Sequence, residues 1–219
     1  MNLLRYTTVL FDLDGTLTDP FEGISRSINY ALEHLGRPPI PLAILRTWIG
    51  PSLRGSFASV LDGDPGLVEQ AVALYRERYG PIGSTENHLY PGIPELLGDL
   101  AQAGCAVCLA TSKPQVFARH ILEHFKLDQH FTFIGGASLD TSRERKADVI
   151  AYVLDQLPAA RRERVVMVGD REHDVEGASE HGIPAIGVSW GYGSAEELRA
   201  AGALAVVGDL AALRPLLGV

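Results

Sequence analysis

The chain has 219 residues, 46% of them hydrophobic, and carries a formal net charge of -8; that suffices for one large domain, or one domain with a small insertion, and argues against nucleic-acid binding through charge. No apolar run approaches the ~20 residues of a membrane span. The N-terminal segment MNLLRYTTVLFD lacks a signal-peptide layout, so a cytoplasmic protein without a membrane partner is expected.

The first predicted strand, TTVLF (7–11), runs directly into Asp12 and Asp14, with Asp19 shortly after. Unpaired carboxylates at the end of a buried strand are costly to desolvate, so a positive partner is expected there. Residues 20–85 show no strand pattern. Instead Ile24, Ile28, Ala31, Leu32 and Leu35 recur at helical spacing, and PLAILRTWIG, SLRGSFASVL and PGLVEQAVALYRERYG read as further helices. GPIGS and YPGIP look like the return linker. Alternation then resumes: helix GIPELLGDLAQAG (92–104), strand CAVCLA (105–110) with Thr111 and Ser112 at its end, and helix PQVFARHILEHF (114–125). Strand TFIGG (132–136) precedes helix KADVIAYVLDQL (146–157), which Lys146 opens. Strand VVMVG (165–169) is followed by Asp170 and Asp174, helix DVEGASEHG (174–182) and strand PAIGV (184–188). Cys105 and Cys108, three apart on a strand, point to opposite faces and are read as core thiols rather than a disulfide.

Strands alternating with helices imply an α/β fold, a doubly wound parallel-sheet (Rossmann-like) core interrupted by a small all-helical domain. The core is expected over 1–19 with 86–219 and the insertion over 20–85. In such sheets ligands bind beyond the carboxyl ends of the strands. Every chemically interesting residue falls there: four carboxylates, a hydroxyl pair and the Lys146 ammonium. Hard carboxylate oxygens suit Mg2+ that shares its shell with a phosphate, and the ammonium, hydroxyls and loop amides suit the remaining phosphate oxygens.

The segments DLDGT, ATSKP, RKAD and VGDREHD, in that order, resemble the four motifs of the haloacid dehalogenase-like hydrolases. TSKP, the helical insertion after the first motif and the tail GVSWGYGSAEEL resemble their phosphoglycolate phosphatase-type branch, in which the insertion is a cap domain. The resemblance implies Mg2+-dependent phosphomonoester hydrolysis of a small phosphorylated metabolite. Asp12 is the implied nucleophile, forming an aspartyl-phosphate, and Asp14 the acid–base residue. Thr111, Ser112 and Lys146 would bind phosphate, with Thr111 and Lys146 also catalytic. Asp12, Asp14 (through its backbone carbonyl), Asp170 and Asp174 would serve the metal, with Asp174 holding a bound water or orienting Lys146. Lys113 is expected beside the site rather than in it, Asp19 and Glu172 as solvated loop or supporting residues, and His173 as an exposed loop histidine. Arg171 departs from the family pattern, which favours a small hydroxyl residue there.

Particular residues bear on the alternatives. A receiver-type phospho-acceptor module would be shorter and lack the helical insertion. A dehalogenase would not need Asp14, since no alkoxide has to be protonated. A phosphonoacetaldehyde-type hydrolase needs a cap lysine, and the lysines are Lys113, Lys126 and Lys146, none within 15–85. A sugar phosphomutase differs only in the phosphoryl acceptor. Substrate choice is expected from the insertion: Arg54 is the best candidate among Arg26, Arg37, Arg46 and Arg54 for a substrate carboxylate, and Phe21, Trp48 and Phe57 offer an apolar wall or a stacking surface, though at least two of these three are expected to pack within the bundle. Phosphoglycolate-like esters are the first expectation and 5'-nucleotidase activity the second.

Overall fold

In the computed structural model, which describes residues 5–219, the chain forms two compact units. One runs to Asp19 and resumes over Leu89–Val219; the other is Pro20–His88. The sequence placed the return at 85/86; the chain re-enters the first unit at His88/Leu89, because the Gly/Pro signals mark the turns rather than the crossing.

The elements in chain order begin with β1 (Thr8–Phe11) and the short β2 (Thr18–Asp19). Four helices follow, α1 (Phe21–His34), α2 (Leu42–Leu45), α3 (Leu53–Ala58) and α4 (Pro65–Arg78), the last running on into a π turn over Tyr79–Gly83. Next come β3 (His88–Leu89), α5 (Ile93–Gln102), β4 (Ala106–Pro114), α6 (Gln115–His124) and β5 (Phe133–Ala137). α7 (Lys146–Asp155), β6 (Val165–Gly169), α8 (Glu172–Ser179) and β7 (Ala185–Val188) follow, and α9 (Ala195–Ala200), β8 (Ala205–Val207) and α10 (Leu210–Leu217) complete the chain. The sequence reading contained no α9, β8 or α10. β8 is three residues long and only its last is buried, too little for a periodicity to register.

The large unit is a six-stranded parallel sheet of order β5-β4-β1-β6-β7-β8. Successive side chains alternate between its faces. Val9, Phe11, Val107, Leu109, Val166 and Val168 pack under α5, α6 and α10. Leu10, Cys108, Ala110, Val165 and Met167 pack under α7, α8 and α9. Cover on both faces explains why the strands read as continuous apolar runs. Cys105 and Cys108 fall on opposite faces as buried free thiols, and burial pushes them up to about 11 and about 12, which keeps them protonated.

In the helical unit α1 buries Ile24, Ile28, Ala31 and Leu32, and α4 buries Val68, Ala71, Val72 and Tyr75. Pro65 opens α4, where the missing N–H costs nothing, and the Asp64 carboxylate accepts from the amides of Gly66 and Leu67. Among the described residues no helix is long and apolar enough to cross a membrane.

Candidate active site

The strand order sets β4, β1 and β6 side by side at the centre of the sheet. The carboxyl ends of β1 and β6 therefore deliver Asp12 and Asp170 to one edge, with Thr111 beside them in the last part of β4, which runs on to Pro114 where the sequence pattern ends the strand at residue 110; this is where the strand order reverses on either side of β1. The Asp12 amide continues the ladder, donating to the Val168 carbonyl at 2.9 Å.

Lys146 opens α7 with its side chain almost wholly buried. Its Nζ stands 2.8 Å from Asp12 Oδ1 and 2.8 Å from Asp174 Oδ1 and donates to the Ala110 carbonyl at 3.0 Å. Asp174, in the first turn of α8, also accepts the Arg171 amide on Oδ2 at 3.1 Å. Asp170 is completely buried; its Oδ2 accepts the Tyr192 amide at 2.8 Å and its Oδ1 lies 3.4 Å from the Thr16 hydroxyl. Asp14 is ion-paired through Oδ2 with Lys113, while its buried Oδ1 has no hydrogen-bond partner among the described residues. Thr111 is buried and accepts the Lys113 amide at 3.2 Å. Ser112 lies in the stretch where β4 shifts register between Thr111 and Pro114.

Four carboxylates thus meet two ammonium groups. Burial, reinforced by the charges of Asp174 and Asp12, raises Asp170 well above the ordinary carboxylate range. Burial also raises Asp174 against the pull of Lys146, and Asp14 against the pull of Lys113. Burial works against the Lys146 charge, but Asp12 and Asp174 outweigh it and hold the ammonium charged. The arrangement suits a divalent cation. One oxygen each from Asp12, Asp170 and Asp174 all lie within 4.8 Å of one another, the donors are hard oxygens, and the carboxylates outnumber the cations by two. The Asp14 side chain, whose residue was expected to serve the metal through its backbone carbonyl, is held by Lys113 and stands outside this trio.

Lys113, expected beside the site rather than in it, is buried there and ion-paired with Asp14. The available signal was its place two residues after Thr111 at a strand end in a lysine-poor chain. Arg171 bonds Glu197 of α9 at 2.8 Å. Asp19, read as a loop or supporting residue, accepts the Tyr192 hydroxyl, and His173 is exposed. In the helical unit Arg54 is held bidentately by Glu69 at 2.6 and 3.1 Å. The Phe21 ring lies under the Arg46 guanidinium, 5.6 Å from the ring centroid. Trp48 and Phe57 pack edge to face at 6.0 Å, with Phe57 fully buried.

The family model described as haloacid dehalogenase-like hydrolase matches residues 9–188. A 5'-nucleotidase of Pseudomonas aeruginosa is 48% identical over 214 residues, covering 98% of this chain and 96% of that protein. A phosphoglycolate phosphatase of Pseudomonas putida is 32% identical, covering 94% of this chain and 78% of that protein. Among solved structures, Protein Tyrosine Kinase A (PtkA) of Mycobacterium tuberculosis superposes with a TM-score of 0.85 at 42% identity, over 98% of this chain and 99% of that one.

Proposed function

Because the chain belongs to the haloacid dehalogenase-like hydrolases and is a phosphatase, we propose that it hydrolyses small phosphate monoesters with Mg2+ through an aspartyl-phosphate on Asp12, nucleoside 5'-monophosphates being the substrate class. The observation that carries the reaction is the convergence of Asp12, Asp170 and Asp174 beside the Lys146 ammonium.

In this reading an Asp12 oxygen attacks phosphorus as the bond to the leaving oxygen breaks, and the Asp14 carboxyl protonates that oxygen. Water then attacks the phosphorylated Asp12, giving up its proton to Asp14, and inorganic phosphate leaves with Asp12 regenerated. A carboxyl at its unperturbed pKa of roughly 3.9 is a weak acid source at neutral pH. The upward push of burial on Asp14 suits the task, and help of this kind contributes about 10^2–10^4-fold. Lys146, Thr111, Ser112 and the loop amides would take the phosphoryl oxygens, and Asp174 keeps Lys146 turned toward Asp12. Mg2+, held by Asp12, Asp170, Asp174 and the Asp14 carbonyl, would supply the positive charge that lets one anion approach another. The helical unit would act as a cap that selects the leaving group.

The substrate reading rests on the greater similarity to the 5'-nucleotidase, 48% against 32% for the phosphoglycolate phosphatase. Arg54, the expected receptor for a substrate carboxylate, is already engaged by Glu69, which favours the nucleotide over a carboxylated ester. The test is inorganic phosphate release with Mg2+ from nucleoside monophosphates, phosphoglycolate and p-nitrophenyl phosphate. A nucleotide should lead phosphoglycolate in kcat/KM by at least about tenfold. The reverse order would return the substrate to the carboxylated ester. Phosphate found on a tyrosine or a sugar hydroxyl instead of free in solution would replace hydrolysis by transfer.

A further inference from the structure

The loop after β7 reads Ser-Trp-Gly-Tyr-Gly-Ser over 189–194, and it carries none of the groups assigned to the reaction. It is nevertheless wrapped around them. The Trp190 indole donates to the Thr16 carbonyl at 3.2 Å, within the loop that follows Asp14. The Tyr192 amide donates to Asp170 Oδ2 at 2.8 Å, and its hydroxyl donates to Asp19. The glycines on either side make this approach possible. A Cβ on Gly191 would stand 2.3 Å from both Asp170 Oδ2 and the Gly15 carbonyl, and one on Gly193 would stand 2.0 Å from the Asp170 carbonyl. Neither position has room for any other residue without displacing Asp170 or its neighbours.

Asp170 has no cation of its own among these contacts; what fixes its carboxylate is an amide and a hydroxyl from two different loops. Asp19 is the last residue before the chain leaves for the helical unit. Tyr192 therefore grips a candidate metal ligand with its backbone and the end of the Asp12–Asp19 loop with its side chain.

We propose that the Trp190–Gly193 segment is a positioning clasp: it aims the Asp170 carboxylate at the metal and, through the Tyr192 hydroxyl, holds the loop carrying Asp14 in register with it. The inference rests on the metal reading above. Groups that orient metal ligands typically change metal affinity by about 10–100-fold when lost, and small misplacements of reacting groups cost comparably in rate.

The two tryptophans are Trp48 and Trp190, so a Trp48→Phe background leaves Trp190 as a single fluorophore on the clasp. Mg2+ titration is followed by its emission and by calorimetry. Gly191→Ala should lower the melting temperature in EDTA through overpacking yet keep a cooperative unfolding transition, and in the folded variant the Mg2+ midpoint should rise by about tenfold or more. Tyr192→Phe keeps the amide on Asp170, so the Mg2+ midpoint should hold while kcat falls about tenfold at unchanged KM. Asp19→Ala should give the same fall, Asp19→Asn, which retains an acceptor, should restore most of the rate, and the Tyr192→Phe/Asp19→Ala double variant should be no slower than either single one. A folded Gly191→Ala with the parental Mg2+ midpoint overturns the clasp, as does a Tyr192→Phe with parental kcat or a strictly additive double variant. Should Gly191→Ala fail to fold, the Tyr192–Asp19 cycle decides alone. A parent protein that binds no Mg2+ removes the metal reading instead, and the kcat cycle still tests the hydroxyl link.

Discussion

Asp12 and Asp14 stand two residues apart, yet each faces a different cation, Lys146 for the first and Lys113 for the second. On the covalent reading Asp12 attacks phosphorus and Asp14 carries the proton, and it is burial that raises Asp14, against the pull of Lys113. Asp12→Asn should lose at least about 10^3-fold in turnover, because an amide cannot attack phosphorus; near-parental kcat would end the covalent mechanism. Asp14→Asn should still be phosphorylated by p-nitrophenyl phosphate, whose leaving group needs no proton, and should hydrolyse the adduct slowly. Acid-quench mass spectrometry should then find phosphate on Asp12, and its absence in a folded variant would move the nucleophile elsewhere. Lys113→Met leaves the buried Asp14 carboxyl without its ammonium. Breaking a buried pair from one side costs about 3 kcal/mol or more, to be read from urea unfolding. A variant as stable as the parent would mean that Asp14 is already neutral in the folded protein.

Single elements bring these groups within reach. α7 delivers Lys146 only because it lies close on β5: a Cβ at Gly135 would stand 2.3 Å from Val153 Cγ2. Gly135→Ala should therefore cost about 1–3 kcal/mol by overpacking, measured by urea unfolding, and should lower phosphatase activity as α7 is displaced. Stability and activity both at the parental level would show that the strand–helix contact yields freely. In the helical unit, Arg54 distinguishes the substrate readings. Arg54→Ala should raise KM for phosphoglycolate more than for p-nitrophenyl phosphate only if a substrate carboxylate displaces Glu69, a loss of about 1.5–3 kcal/mol for a hydrogen bond to a charged group. On the nucleotide reading the two esters should respond alike, which steady-state kinetics on both will settle.

For the whole molecule, the imbalance of buried charge makes the cation part of the expected working state. EDTA should abolish phosphate release and Mg2+ restore it; full turnover in metal-free buffer would sink the metal reading. Because a ligand that binds only the folded chain stabilises it by mass action, the melting temperature should also rise with Mg2+. Asp170→Asn should blunt that rise, a readout independent of turnover.

Reading the sequence alone was enough to determine the main strands and helices from β1 to β7, the run of helices between Asp19 and Leu89, and the placement of Asp12 and Asp170 after strands and of Lys146 at a helix start. Burial on two faces leaves unbroken apolar runs, and an acid directly after such a run is a local signal. The short edge strand β8 and the helices on either side escaped, being too short or too weakly periodic to register. Strand order was decided only in three dimensions, since each crossover spans a whole helix and nothing local says that β1 lies between β4 and β6. The same holds for the partners of side chains. Lys113 meets Asp14 across 99 positions and Tyr192 meets Asp19 across 173, because β1 and β4 are neighbours in the sheet and the loop after β7 folds back over the end of β1. Chemistry follows residue type and can be read along the chain; which charge faces which is fixed by packing between segments far apart in it.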